Sequence, residues 1–258
     1  MTQTITRKKH SVSFILIMIN VVVFLIQMLF PSLNQYFVLT SQNILFQPWR
    51  LITHMFMHAS FTHLFFNMYA LLLFGNLIEQ KIGSKRLLGF YFVAGLVAAF
   101  AFIGFDHLKL FLGLQNYFGS ALGASGAIMG IIGLVIMLLP DLKVLFFFVI
   151  PMSMRTAGII FALIDIIGMF NIHSSVANAA HLGGLIAGLI YGSYLLKKRD
   201  KFRSKFSRSY VTNSKSKKST AMPTSKYSSK VKTSTDPNNV VIELSDEDID
   251  DYLKNGRL

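Results

Sequence analysis

The 258-residue chain contains no cysteine, and only 14% of its residues are charged. The absence of cysteine excludes a disulfide framework, a thiolate nucleophile and a cysteine-ligated metal. Soluble domains carry about 25% charged residues. The low charged fraction, the 53% of apolar residues and the mean hydropathy of +0.52 therefore argue against an ordinary soluble protein and indicate a membrane protein.

Apolar residues are concentrated in six runs, each near the ~20 residues that a helix needs to cross a bilayer. The runs are 13–30, 61–80, 87–105, 125–139, 155–171 and 178–196. The first run follows basic residues and could be a signal peptide, but no small-residue cleavage site comes after it. We predict an all-α, polytopic membrane protein with six transmembrane helices. The stretch Val144 to Ile150 is too short to span and stops at Pro151, which predicts an interfacial or re-entrant segment.

The positions of Lys and Arg predict the orientation, because short cytoplasmic connections carry an excess of these residues. Basic residues flank the N-terminus, the second and fourth connections and the end of the last run: Arg7, Lys8, Lys9, Lys81, Lys85, Arg86, Lys143, Arg155, Lys197, Lys198 and Arg199. An even number of spans with both termini in the cytoplasm satisfies this distribution. The first connection, 31–60, is unusually apolar and carries Trp49, so we expect it to lie in the membrane interface.

Two regions differ in composition. Residues 1–196 form the predicted membrane domain, and residues 197–258 form a tail that is first basic and then acidic. The tail is rich in Ser, Lys and Thr, which predicts a mostly disordered cytoplasmic segment. Its basic part suits attraction to anionic lipid rather than nucleic acid. Ser245 and the acidic residues after it predict a short helix to about Lys254.

Polar side chains in apolar spans are costly, so each is a functional candidate. Ser125 opens the fourth run between Gly123-Ala124 and Gly126, where a loop turns into a helix. Small neighbours leave the hydroxyl accessible, and the unpaired N–H groups of a helix N-terminus can stabilise an oxyanion. Ser125 therefore fits a nucleophile. The alternative is a small-residue packing seam formed with Gly126 and Gly130.

His181 lies in the sixth run, and Gly184 and Gly188 follow it on the same helical face. If that face meets the glycines of the fourth run, the two backbones can approach closely enough for a hydrogen bond between His181 and Ser125. An imidazole that accepts the serine proton and returns it to the leaving amine acts as a general base. The alternative is a structural polar link between helices.

His63 and Asn67 stand four residues apart on one face of the second run. An imidazole and an amide that point the same way are oxyanion-hole residue types. The alternative is hydrogen bonding between helices.

No carboxylate suits a third catalytic position. Asp165 lies midway along the fifth run and receives no role. Glu79, at the cytoplasmic end of the second run, is expected to be structural, with Lys81, Lys85 or Arg86 as its partner. We expect no cofactor and no metal.

Together these motifs resemble the rhomboid family of intramembrane serine proteases over almost all of residues 10–196. The matching segments stand in the family's order: Trp49-Arg50, His54, His58, His63-x-x-x-Asn67, Glu79, Gly123-Ala124-Ser125-Gly126 and Ala180-His181-Leu182-Gly183-Gly184. The resemblance implies Ser125 as nucleophile and His181 as general base. It also implies an oxyanion site formed by His63, Asn67 and the Ser125 backbone N–H.

Further expectations follow from the same resemblance. It implies structural roles for Trp49 and Arg50, and hydrolysis of peptide bonds in or next to transmembrane segments of membrane-protein substrates. The expected surroundings are membrane lipids, with no nucleic-acid partner. A six-span core implies a bacterial-type enzyme of the inner membrane. One departure is Met129, which stands where the family usually has Tyr or Phe against the histidine; a thioether can still pack on an imidazole.

Two other functions stay open. An intramembrane metalloprotease would use the clustered His54, His58 and His63, of which the first two have the spacing of metal ligands. However, Met55 stands where the H-E-x-x-H motif needs glutamate. A catalytically silent rhomboid-like protein would bind client transmembrane helices without cutting them. The presence of both Ser125 and His181 argues against this second alternative.

Overall fold

A computed structural model describes residues 11–42, 44–146, 149–169, 177–214, 231–233 and 240–242. The helices are α1 (Val12–Leu29), α2 (Asn34–Phe37), α3 (Arg50–Thr53), α4 (Phe61–Ala70), α5 (Asn76–Ile82), α6 (Ser84–Phe111), α7 (Ser125–Leu138), α8 (Met154–Met169) and α9 (Asn178–Ser214). The strands are β1 (Leu39–Thr40), β2 (Ser120–Ala121), β3 (Lys143–Phe146), β4 (Ile150–Ser153), β5 (Val231–Thr233) and β6 (Val240–Ile242). A π-helical turn, Leu71–Gly75, joins α4 to α5.

Four helical segments within the described residues are long and apolar enough to cross a bilayer: Val12–Leu29, Phe61–Ile82, Ser84–Phe111 and Asn178–Lys201. α7 is also apolar but has 14 residues, and α8 has 16. The described residues of each of the six apolar runs therefore lie mainly in helix. The prediction of a mainly helical membrane fold is confirmed.

α7 is enclosed by its neighbours. Every residue from Gly126 to Val135 is buried, as expected for a helix that is apolar on all sides. Its contact with α6 depends on small residues: a Cβ at Gly126 would lie 2.5 Å from the Ala98 methyl, and one at Gly130 would lie 2.5 Å from the Ala94 methyl. Glycine and alanine thus let the two backbones pack closely.

α9 also approaches α7 through glycine. A Cβ at Gly184 would collide with the carbonyl oxygen of Gly126, and a Cβ at Gly188 would collide with that of Gly130. The two glycines that follow His181 thus lie at the α7–α9 contact. This contact sets the depth of His181 relative to the start of α7.

The described residues of the stretch Val144 to Ile150 include parts of two paired strands, which its shortness alone did not predict. β3 and β4 pair antiparallel, with Lys143 opposite Ser153 and Phe146 opposite Ile150. Valine, leucine and phenylalanine suit a pleated ribbon, and a two-stranded ribbon has only edge strands, where the missing N–H of Pro151 is tolerated. A second short pair, β1 with β2, ties the first connection to the loop before α7.

The described residues of the tail are in helix and strand, whereas the sequence predicted a mostly disordered segment. α9 continues to Ser214, and β5 pairs antiparallel with β6. Lys and Arg are good helix formers, so the basic composition past residue 196 is compatible with continued helix. The short helix predicted from Ser245 lies outside the described residues. The chain divides into two units, Met1–Gln80 with Ser84–Gly192 and Lys81–Gly83 with Ser193–Leu258, and the candidate site belongs to the first.

Candidate active site

The turn before α7 places Ser125 at the first residue of that helix. Gly123 has φ of +120°, a backbone conformation that favours glycine. Its N–H donates a hydrogen bond to the carbonyl oxygen of His54 at 2.9 Å. Ser125 thus lies in the first helical turn, where backbone N–H groups have no acceptor within the helix. The partial positive charge of that helix end favours negative charge beside the hydroxyl.

His181 meets Ser125 directly. Nε2 of His181 lies 2.8 Å from Oγ of Ser125, which is a hydrogen-bond distance. Both residues are half-buried, and His181 lies in the first turn of α9, one turn before Gly184. The close α7–α9 contact thus brings together the two residues that the sequence singled out on separate runs.

Asp165 is the residue that the sequence interpretation missed. Its Oδ1 lies 3.0 Å from Nδ1 of His181, on the opposite side of the imidazole from Ser125. The Asn178 side-chain amide donates to the same oxygen at 3.2 Å. The expectation that no carboxylate suits a third position is therefore wrong. The sequence feature that could have identified Asp165 is the presence of an acid inside an apolar helix, because such residues are functional candidates by default.

His63 lies beside the Ser125 turn, whereas Asn67 makes a local contact. A Cβ at Gly123 would lie 2.8 Å from Nε2 of His63 and 3.7 Å from Oγ of Ser125, so the open side of Gly123 faces both groups. The Asn67 Nδ2 donates to the carbonyl oxygen of His63 at 3.1 Å. This bond uses one of the two hydrogens on Nδ2. The oxyanion role of both residues stays a prediction.

Trp49 and Arg50 hold the first connection together. The Trp49 indole N–H donates to the carbonyl oxygen of Tyr36 at 2.9 Å. Arg50 is buried, and its guanidinium donates to the carbonyl oxygens of Val38, at 2.8 Å, and of Gln35. The planar fork of an arginine reaches several acceptors at once. Both side chains thus bind backbone carbonyl groups of the first connection, and their structural role stays a prediction.

Glu79 binds the start of α1. Its carboxylate accepts hydrogen bonds from the hydroxyls of Ser11, Ser13 and Ser84 and from the backbone N–H groups of Val12 and Ser13, at 2.6 to 3.0 Å. An acid at a helix N-terminus is favourable because it satisfies N–H groups that lack an intrahelical partner. Hydroxyl and backbone donors therefore hold this carboxylate, which the expectation of a lysine or arginine partner did not include.

We expect Glu79→Gln to destabilise the protein by about 2 to 4 kcal/mol, because hydrogen bonds to a charged group are each worth about 1.5 to 3 kcal/mol. All five contacts of Glu79 come from donors, and the amide NH₂ of glutamine would face some of them with further donors. Thermal unfolding in detergent measures the effect. Ser84→Ala removes one of these bonds and should cost much less; equal losses for the two variants would contradict this account.

His54 and His58, which the metalloprotease alternative would use as metal ligands, contact a backbone carbonyl group and another histidine ring. Nδ1 of His54 lies 2.8 Å from the Arg50 carbonyl oxygen, and the His58 ring packs edge to face on His63 with centroids 5.1 Å apart. Burial lowers the pKa of His54 and of His58 to about 4. Across the described parts of the chain, no three His, Asp or Glu residues come together as a metal site.

Comparison with known proteins identifies the family. A family model described as "Rhomboid domain" matches residues 45–198, which is more than half of the chain and includes Ser125, Asp165 and His181. The chain belongs to the rhomboid family.

Curated relatives include bacterial and mitochondrial proteins. The chain is 32% identical to "Rhomboid protease GlpG" of Haemophilus influenzae over 57% of this chain and 69% of the relative. It is 30% identical to "Rhomboid protease AarA" of Providencia stuartii over 70% of this chain and 71% of the relative. It is 29% identical to "Rhomboid protein 1, mitochondrial" of Saccharomyces cerevisiae over 66% of this chain but only 49% of the relative. Membership of the rhomboid family and the apolar helices of spanning length together show that the chain is an integral membrane protein. The family includes proteases.

Proposed function

We propose that the protein is an intramembrane serine endopeptidase in which Ser125 is the nucleophile and His181 the general base. The main support is the distance of 2.8 Å between Nε2 of His181 and Oγ of Ser125. A serine hydroxyl is a weak nucleophile until an adjacent base takes its proton, and this contact provides that base. The relatives named as proteases support the same reaction class.

The reaction has two halves. Oγ of Ser125 attacks the carbonyl carbon of the scissile peptide bond while its proton passes to Nε2 of His181, and the carbonyl oxygen becomes an oxyanion. When the C–N bond breaks, the imidazolium returns the proton to the leaving amine. Water then attacks the acyl-enzyme with His181 again as base, which releases the new carboxyl end and restores the hydroxyl.

Donors around the Ser125 turn would stabilise the oxyanion. The backbone N–H of Ser125 is in the first turn of α7, and the His63 ring faces the same open side of Gly123. The second hydrogen on the Asn67 amide nitrogen completes the proposed set. Removing one such donor typically costs ~2.7 to 4 kcal/mol of barrier stabilisation.

The proposed substrates are transmembrane segments of other membrane proteins. An intact helix keeps its carbonyl groups hydrogen-bonded, so we expect cleavage where small and helix-weakening residues let the substrate unwind. We further propose six spans, with α7 and α8 as the two shorter ones, and both termini in the cytoplasm of a bacterial cell. The basic residues of the second and fourth connections support this orientation.

Reconstitution with a model transmembrane substrate tests the function. The parent protein should cut the substrate in proteoliposomes, and Ser125→Ala should lower the rate by about 10³-fold or more. A fluorophosphonate probe should label the parent covalently and leave Ser125→Ala unlabelled. Thermal unfolding of both proteins in detergent is the control for folding.

Two results would overturn the proposal. One is cleavage by Ser125→Ala at the parental rate. The other is a folded parent that binds transmembrane peptides but neither cuts them nor takes the probe, which would indicate a silent client-binding protein.

A further inference from the structure

Asp165 lies where its carboxylate can fix the tautomer of the His181 imidazole. Its Oδ1 lies 3.0 Å from Nδ1 of His181, while Nε2 of the same ring lies 2.8 Å from Oγ of Ser125. The three side chains form a continuous hydrogen-bonded line from α8 through α9 to α7. We propose that Asp165 is a positioning residue that holds His181 in its Nδ1–H tautomer, so that the proposed protease works through a serine, a histidine and an aspartate. The inference rests on the proposed function of Ser125 and His181.

The tautomer follows from the chemistry of the two partners. An ionised carboxylate can only accept hydrogen bonds, so the proton between Asp165 and His181 belongs to Nδ1. A neutral imidazole with its proton on Nδ1 has a lone pair on Nε2. That lone pair faces Ser125 and can accept the hydroxyl proton. The opposite tautomer would point an N–H at Oγ and could not act as a base.

The surroundings of Asp165 are built to keep a carboxylate in place. Asp165 is buried, and a buried charge is costly unless it is hydrogen-bonded. The Asn178 amide supplies a second hydrogen bond at 3.2 Å. Asn178 is also the first residue of α9, so the carboxylate lies near the positive end of that helix, where an anion is favoured.

Gly168 gives the Asn178 side chain its space. It lies one turn after Asp165 on α8, and a Cβ there would collide with the Asn178 amide. Because Gly168 has no side chain, the α8–α9 contact leaves space for the Asn178 amide beside the Asp165 carboxylate. An acid that was merely tolerated at the lipid surface would not need the space at Gly168 or the Asn178 amide. It would also not face Nδ1 of His181.

Kinetics of Asp165→Asn test the proposal. The substitution keeps the size of the side chain, but its NH₂ group can donate to Nδ1 and so favour the wrong tautomer. We expect kcat to fall about 10²- to 10⁴-fold, with KM within about twofold of the parent because Asp165 does not touch substrate. In a His181→Ala background the same change should have no further effect on the residual rate.

A second acid provides the matched control. Asp106 in α6 is also buried and also hydrogen-bonded, to the Gln115 amide at 2.6 Å and to the Gly119 N–H at 3.1 Å. Asp106→Asn should lower stability without the loss of kcat.

If Asp165→Asn fails to fold, Asn178→Ala removes one hydrogen bond from the carboxylate and should lower kcat about 3- to 10-fold. Unchanged kcat in that variant would then overturn the proposal.

¹⁵N NMR of histidine-labelled protein in detergent provides a readout that does not depend on activity. The His181 signals, assigned by comparison with His181→Gln, should show a protonated Nδ1 in the parent and a mixed or reversed tautomer in Asp165→Asn. If the parent cuts substrate, Ser125→Ala does not, and Asp165→Asn keeps both the parental kcat and the parental tautomer, the proposal fails while the serine mechanism stands. If Ser125→Ala cuts like the parent, the proposed function fails, and the NMR spectra alone decide whether Asp165 sets the tautomer.

Discussion

His181→Ala should slow peptide-bond cleavage as much as Ser125→Ala does, by about 10³- to 10⁶-fold, and the double variant should be no slower than either single one. The reason is the direct contact of 2.8 Å between Nε2 and Oγ. A serine without its base stays protonated, and a base without its serine has nothing to activate. The two residues therefore act as a unit, and their losses do not add.

Initial rates in proteoliposomes for the parent, both single variants and the double variant measure this coupling. Matched unfolding temperatures would show that the variants are folded. Multiplicative losses in the double variant would mean that the two residues act independently, and a His181→Ala protein with parental activity would remove the histidine from the mechanism. The fluorophosphonate probe should fail to label either single variant.

Gly184→Ala should lower both the cleavage rate and the stability of the protein, because it acts on the α7–α9 contact. The new methyl would collide with the Gly126 carbonyl oxygen, which is backbone and cannot rotate away, so α7 and α9 must separate. A shift of about 1 Å between reacting groups can cost about 10²-fold in rate, and overpacking costs about 1 to 3 kcal/mol of stability. We expect losses of this order in both cleavage rate and thermal unfolding.

Gly104→Ala is the matched control, because Gly104 is also in a long helix and nothing lies within 4 Å of its added Cβ. Alanine is a better helix former than glycine by about 1 kcal/mol, so this variant should be as stable as the parent or more so, with parental activity. If Gly184→Ala behaved like Gly104→Ala, the close α7–α9 approach would not hold Ser125 and His181 together.

The helices and the shared face of His181, Gly184 and Gly188 could be predicted from the sequence because both follow from local patterns. Apolar runs of sufficient length predict helices in lipid, and the spacing of His181, Gly184 and Gly188 places them on one face. The partner of that face could only be inferred from the glycines in the fourth run. The structure brings the two together at Gly126 and Gly130.

Asp165 and Glu79 show what local patterns cannot supply. The contact of Asp165 with His181 depends on how far α8 is rotated and shifted against α9, and nothing in the intervening sequence specifies either quantity. Glu79 lies near basic residues in sequence, yet it binds Ser11 to Ser13, more than 60 residues away. Charge proximity along the chain could not indicate these distant hydroxyl and backbone donors. The β3–β4 hairpin was missed because its short apolar stretch is ambiguous between strand and helix.

α7 is too short to reach from one side of a bilayer to the other. Its 14 residues extend about 21 Å at 1.5 Å per residue, whereas the hydrocarbon core is about 30 Å thick. With its C-terminal end at one boundary, its N-terminal end stops roughly 9 Å below the opposite one. Unpaired N–H groups cannot face hydrocarbon, so we expect water to reach this depth if α7 spans the bilayer as proposed. The shortness of α7 would thus supply water, the second reactant of the proposed hydrolysis, at the depth of the Ser125 hydroxyl.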